Sequence, residues 1–147
     1  MSAHAAERGV PIAVTRFAAT TRTAQDAAQQ IGCTVAEIVK SLVFLVDGVP
    51  AVVLCSGADR VDESKLRALL GAAAVRRATA DEAKAATGYA IGGVPPFAHA
   101  SPLRVIVDRG LMGFATVWAA AGLPDAVFPI APVDLVRLAG AQEADVT

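Results

Sequence analysis

Ile38-Val39-Lys40-Ser41-Leu42-Val43-Phe44-Leu45-Val46, then Asp47-Gly48, then Ala51-Val52-Val53-Leu54-Cys55, is the stretch on which the fold turns. Two apolar runs around an Asp-Gly pair predict antiparallel strands joined by a tight hairpin, because Asp-Gly accepts the left-handed backbone such a turn needs. Side chains alternate across a strand, so Lys40 shares a face with Ile38, Leu42, Phe44 and Val46, while Val39, Val43 and Leu45 cover the other. Neither is a water face. An ammonium is rarely buried without a partner, since desolvation disfavours its charged form. Two explanations stand open at this point. The carbon stem of Lys40 lies along apolar surface while its head reaches solvent or a carboxylate, or the cation sits at the floor of a pocket that takes an anionic or polarised ligand.

Outward from this hairpin, 147 residues suit one domain, residues 1–147, with a core of ordinary size. The composition is apolar through Ala and Val, and no run approaches the roughly 20 apolar residues of a membrane span. The start, MSAHAAERGV, lacks the basic-then-apolar pattern of a signal peptide, so the expectation is a soluble cytoplasmic protein that does not engage a membrane. Cys33 and Cys55 lack CxxC spacing, which predicts inert core thiols rather than a disulfide or a zinc knuckle. A net charge of −1 excludes a strongly cationic binder of DNA or long RNA. Arg60, Lys65, Arg67, Arg76 and Arg77 form a local basic group that reads as a solvated helix face and its following turn.

Residues up to about Pro11 predict a frayed end or short helix. From Thr21, TRTAQDAAQQIG predicts a helix with Thr23 and Asp26 at capping spacing and Gly32 as its stop. After the hairpin, Ser56 to Arg60 is a loop and Asp62 to Leu70 a helix with acids in its first turn. A short strand near Ala74–Arg76 precedes a Thr79/Glu82 capping box and a helix ending near Gly88. Leu103–Val107 predicts a third clear strand, and Ala126–Ile130 a last one, with Pro129 marking an edge or strand end. The only tryptophan, Trp118, reads as a core anchor in the segment from Phe114 to Gly122. Pro132 to Leu138 predicts a closing helix, and AQEADVT a loose tail. Irregular alternation with hairpin signals among helices predicts an α/β fold of the α+β type, a mixed, mostly antiparallel curved sheet with flanking helices.

Tyr89-Ala90-Ile91-Gly92-Gly93-Val94-Pro95-Pro96-Phe97-Ala98-His99 cannot be a regular helix or interior strand. Its glycines permit close backbone approach, and its prolines hold one shape. Such a loop either presents backbone N–H groups to a ligand or merely carries the chain across the sheet. Elsewhere, no GxGxxG, P-loop, HExxH or His/Cys cluster occurs, so neither a cofactor nor a metal is expected. Cys33 or Cys55 as a nucleophile needs a base, and the only histidines are His4 and His99. The surviving candidates are Lys40, the Gly92-to-Pro96 loop, His99, Ser56, Asp59 and Asp108.

IVKSLVF, VVLCSGADRVDESKL and TGYAIGGVPPFAH followed by an apolar strand ending in Asp resemble, in that order, the YbaK/prolyl-tRNA synthetase associated domain family, over about residues 21–138. The resemblance implies a mixed α/β editing domain that hydrolyses amino acids wrongly attached to tRNA, most often proline tRNA. It assigns Lys40 as the functional lysine and Gly92 and Pro96 as the GxxxP loop, with His99 where some branches carry a histidine. Pro95 stands where the cysteinyl-tRNA deacylase branch has Ser, which leaves Ala, Ser, Thr and Cys as amino acids to be removed. The implied partners are the aminoacyl-tRNA acceptor end and prolyl-tRNA synthetase. An aminoacyl ester is already activated, so positioning and oxyanion stabilisation suffice without a metal. On this view Lys40, expected to stay charged, holds the RNA end, and Gly92 and Gly93 N–H groups bind the developing oxyanion. Val94, Pro96, His99, Ser56, Asp59 and Asp108 then contact substrate. The competing expectation is a non-catalytic module that binds tRNA ends or nucleotides, or a regulatory protein of the same fold.

Overall fold

The computed structural model describes residues 9, 12–16, 23–123 and 125–147. The expectation for the first residues, and the Thr21 start of the first helix, lie outside these. The strands are β1 (Thr15–Arg16), β2 (Val39–Val46), β3 (Val49–Ser56), β4 (Val75–Arg77), β5 (Arg104–Asp108), β6 (Val117–Ala120), β7 (Ala126–Ile130) and β8 (Gln142–Ala144). The helices are α1 (Ala24–Ile31), α2 (Glu63–Leu70), α3 (Ala80–Thr87) and α4 (Pro132–Ala139). The architecture is mixed α/β. A five-stranded sheet runs β4-β2-β3-β5-β8 and a three-stranded sheet β1-β7-β6. The β3–β5 and β5–β8 pairs are parallel, and the other pairs are antiparallel.

The hairpin forms as its sequence requires. Val46 pairs Val49 across Asp47 and Gly48, whose φ angles are 50° and 82°, the left-handed pair of a type I′ turn. The Asp47 carboxylate also accepts from the Ala73 and Ala74 N–H groups at 3.0 and 2.8 Å, tying the turn to the chain entering β4. Helix ends follow local chemistry as well. The hydroxyls of Thr23 and Thr79 accept from the Asp26 and Glu82 N–H groups, and Gly32, Gly71, Gly88 and Gly140 close the four helices in the left-handed region.

The two faces of the larger sheet bury different things. Val39, Val43, Val52, Leu54, Val105 and Val107 face the smaller sheet, packing with Val117, Phe128 and Ile130 and with Leu135 and Leu138 of α4. Phe44, Val53 and Ile106 on the opposite face pack with Leu66 of α2, Ala144 and Val146. Ala27 and Ala28 of α1 pack against Ile38 and Trp118. Lys40, Leu42 and Phe44 are therefore on the α2 face of β2, as their alternation requires.

The structure refines the expected sheet and corrects the expected closing segment. The strands form two sheets, because β6 and β7 pair with each other and β1 and lie across the main sheet. The segment bearing Trp118 is a strand, bridged in parallel to Ile38. The chain does not close on a helix and a loose tail: β8 adds to β5, and Val146 is fully buried. Pro129 lies in the middle strand of the smaller sheet, but β1 pairs only Ala126 and Val127, so no ladder partner is lost beside the proline. Among the described residues, no helix is long and apolar enough to cross a membrane.

One surface contact sets an acid-side prediction. Arg76 holds the Glu82 carboxylate at 2.8 Å and the Thr79 N–H caps it, drawing its pKa from 4.5 down to about 2. A carboxyl whose folded pKa is depressed stabilises the fold above its unfolded pKa and loses that contribution as pH falls through the folded value. Between pH 4.5 and 2, wild type should therefore lose stability faster than Glu82→Gln in urea titrations, and the two should run parallel above pH 6.

Candidate functional site

The site forms where β2 has an open edge. β4 pairs only with Phe44–Val46, and the bridge to Trp118 lies back at Ile38, so among the described residues no strand covers β2 between them. A cavity of about 310 Å³ occupies the gap, within the size range of small-ligand sites. Residues from both faces of β2 line it, Val39, Ser41 and Val43 on one and Lys40 and Leu42 on the other, as an edge-on cavity requires. Its walls are mostly small and apolar: Ala27 from α1, Ala78 and Ala83, Ala120 beside Trp118, and Ala126 and Val127. Gly92 and Val94 close it from the glycine-proline loop.

That loop is held rigidly from within. The Thr87 hydroxyl donates to Ala83 O at 2.8 Å and accepts from Tyr89 N–H, while the Tyr89 hydroxyl donates to Ala98 O. Gly93 N–H donates to Ala90 O at 3.0 Å and closes a turn with Gly92 at φ 89°. A Cβ on Gly93 would meet the backbone of Leu123 at 3.0 Å, so glycine lets two chain segments approach closely without displacing one another. Pro95, Pro96 and Phe97 are buried, and the Phe97 ring meets Phe128 edge-on at 5.8 Å. His99 donates through Nε2 to Pro95 O at 2.7 Å, which fixes the proton on that nitrogen.

The cavity thus brings together Lys40, Gly92 and Val94 and leaves the other candidate residues outside its lining. The Lys40 ammonium donates to the Asp59 backbone oxygen, so Asp59 meets the lysine through its main chain. Gly93 spends its N–H inside the turn and packs behind the cavity, while Pro96 is buried in the loop. His99 lines a separate, more open hollow with Leu103 and Leu138. Ser56, 2% exposed, donates to Ala36 O at 2.7 Å and accepts from Ala58 N–H, forming the turn after β3. Asp108, 1% exposed, accepts from Gly110 N–H, Val146 N–H and the Thr147 hydroxyl, binding the chain's last residues to β5. Burial pushes the Cys55 thiol up to about 11, partly opposed by the Lys40 cation, and also raises Cys33. Both cysteines are therefore poor nucleophiles.

The sequence reading missed Arg77 and Ser41. Arg77 lines the cavity with its guanidinium stacked 5.7 Å over the Phe44 ring, whereas its neighbour Arg76 is the surface cation expected of that basic group. Ser41 was detectable as the one polar residue on the Val39–Val43–Leu45 face. Among the described residues no three His, Cys, Asp or Glu side chains are grouped to hold a metal ion.

The described residues thus form an α/β domain with an alanine-walled cavity, built on an open strand edge, lined by Lys40 and closed by a glycine-proline loop. Residues 18–138 match the family model of the aminoacyl-tRNA editing domain, and the chain belongs to that family. It is 33% identical over 123 residues to the uncharacterized protein YwhH of Bacillus subtilis (strain 168), covering 83% of this chain and 78% of that one. It is also 32% identical over 85 residues to a proline--tRNA ligase of Streptococcus equi subsp. equi, matching 58% of this chain but only 14% of the ligase. Among solved structures, a candidate trans-editing enzyme for prolyl tRNA synthetase superposes with a TM-score of 0.92 at 43% identity, over 99% of this chain and 93% of the other. The hypothetical protein APE2540 superposes with a TM-score of 0.90 at 34% identity, over 97% and 95%.

Proposed function

We propose that this protein is a trans-editing hydrolase that removes a small, wrongly attached amino acid, alanine foremost, from the acceptor end of proline tRNA in the cytoplasm. The observation that carries this reading is the shared cavity of Lys40 and Gly92, walled by alanine and valine side chains. Such walls receive a methyl group well. Small-substrate editing complements a synthetase whose own pocket cannot reject a smaller amino acid.

In the reaction, water adds to the ester carbonyl carbon, the oxyanion forms, and the bond to the ribose oxygen breaks. The ribose oxygen takes a proton, and free amino acid leaves. Among the described residues no carboxylate, histidine or cysteine side chain lines the cavity, and on this reading the proton passes through water or the neighbouring ribose hydroxyl. The protein contributes positioning and oxyanion stabilisation, which are large terms for an activated ester. Lys40 holds the terminal phosphate or ribose.

The test is a panel of alanyl-, seryl-, threonyl- and cysteinyl-proline tRNA with purified protein. Alanine release should be fastest. No release from any of them, with wild type and Lys40→Ala indistinguishable, would overturn the reading, and tRNA binding without turnover would favour a non-catalytic module. Arg77 sits on β4 opposite Phe44, on the order of 13 Å along β2 from Lys40, and is placed to meet a second phosphate. Arg77→Gln should raise KM for charged tRNA a few-fold at unchanged kcat. It should also lower the slope of log affinity against log salt by about 0.7, the contribution of one single-strand phosphate.

A further inference from the structure

We infer that the main chain of Ser41 is the docking edge for the aminoacyl group, its N–H serving as the oxyanion donor and its C=O receiving the α-ammonium. This rests on the proposed hydrolase reading and names the residue that would carry it. In a strand, both main-chain groups of a residue point to the same side, and those of the next residue point to the other. Ile38 O accepts from Gly57 N–H at 2.7 Å on the β3 side, and Val43 O accepts from Ala78 N–H at 2.9 Å on the β4 side. By that alternation the groups of Lys40 and Leu42 are turned to β3, and those of Ser41 to the uncovered edge, where the cavity lies. The Ser41 hydroxyl is also buried with no hydrogen-bond partner among the described residues. Unpaired buried groups are rare in native structures and costly unless something completes them.

An aminoacyl ester has the nitrogen–Cα–carbonyl order of a strand residue. Laid antiparallel against Ser41, it forms the closely spaced pair in which two residues exchange both hydrogen bonds. The α-ammonium donates to Ser41 O, and the ester's carbonyl oxygen accepts from Ser41 N–H. Directly paired residues share a face, so the ligand's side chain falls on the same face as that of Ser41, towards Val39 and Val43. Attack by water then turns the carbonyl into an oxyanion already aimed at an N–H. This also supplies a donor in place of Gly93, whose N–H is committed to Ala90 O.

Amide hydrogen exchange tests the edge, with the non-hydrolysable adenosine 3′-alanylamide as probe. Ser41 should exchange openly in the free protein and slow at least about tenfold on saturation, while Lys40 and Leu42 stay protected throughout. In parallel, replacing Ser41 by its α-hydroxy acid counterpart, which deletes that N–H and weakens the Lys40 carbonyl as an acceptor while keeping every side chain, should lower kcat about a hundredfold with KM little changed. An unprotected Ser41 with the probe bound, or a kcat within twofold of wild type, would overturn the assignment. Protection of Ser41 without hydrolysis of any charged tRNA by wild type would leave the edge standing and remove the hydrolase reading instead.

Discussion

Lys40→Met is expected to lower kcat/KM for alanyl-proline tRNA about a hundredfold while leaving the melting temperature nearly unchanged. The two effects separate because of where the ammonium is held. Among the described residues its hydrogen-bond partner is the Asp59 backbone oxygen on an exposed loop, and an exposed hydrogen bond contributes about 1 kcal/mol or less to stability. Methionine preserves the apolar stem that packs beside Leu42. An ammonium has three donors, so two remain for the ribose or phosphate of the RNA end. Losing a charge-assisted contact costs on the order of 3 kcal/mol in binding the transition state. Single-turnover deacylation together with thermal melting checks both halves. Full activity in the variant would mean that Lys40 only spreads its stem over the sheet edge.

Asp108→Ala should do the reverse, costing about 3 kcal/mol of stability, or a fall in Tm on the order of 10 °C, with kcat per folded molecule unchanged. The side chain is buried and accepts from two main-chain N–H groups and a hydroxyl. Alanine would strand those N–H groups in a dry place, which costs more than the bonds themselves contribute. Asp108→Asn keeps one oxygen acceptor and should lose about half as much. Urea unfolding beside deacylation decides the matter: lost turnover at unchanged stability would return Asp108 to the substrate.

Much of the local structure is legible in single residues. Asp47-Gly48 dictates the hairpin because few other pairs accept two left-handed residues in succession. Thr79 and Glu82 start α3, and the terminal glycines stop the helices, through bonds that reach only three or four residues. The shaped loop is equally plain, since prolines and glycines forbid the alternatives. Asp59 and Ser56 show where this stops. They read as polar groups near Lys40, and in space they are near it, but Asp59 acts through its carbonyl and Ser56 through a turn. Residue type says what a side chain can do and not which of its neighbours already occupies it.

The amino-acid sequence by itself determined the mixed α/β class, the hairpin bearing Lys40, the glycine-proline loop and the resemblance to an editing family, because these depend on short-range periodicity, backbone constraint and motif order. The division into two sheets, the burial of the last residues against β5, and the bare edge at Ser41 between β4 and the Trp118 bridge were decided only in the tertiary structure. Each depends on which distant segments pair and how far each pairing extends. Strand propensity carries no information on that length, and it is the early end of β4 that leaves a cavity where a third strand would otherwise lie.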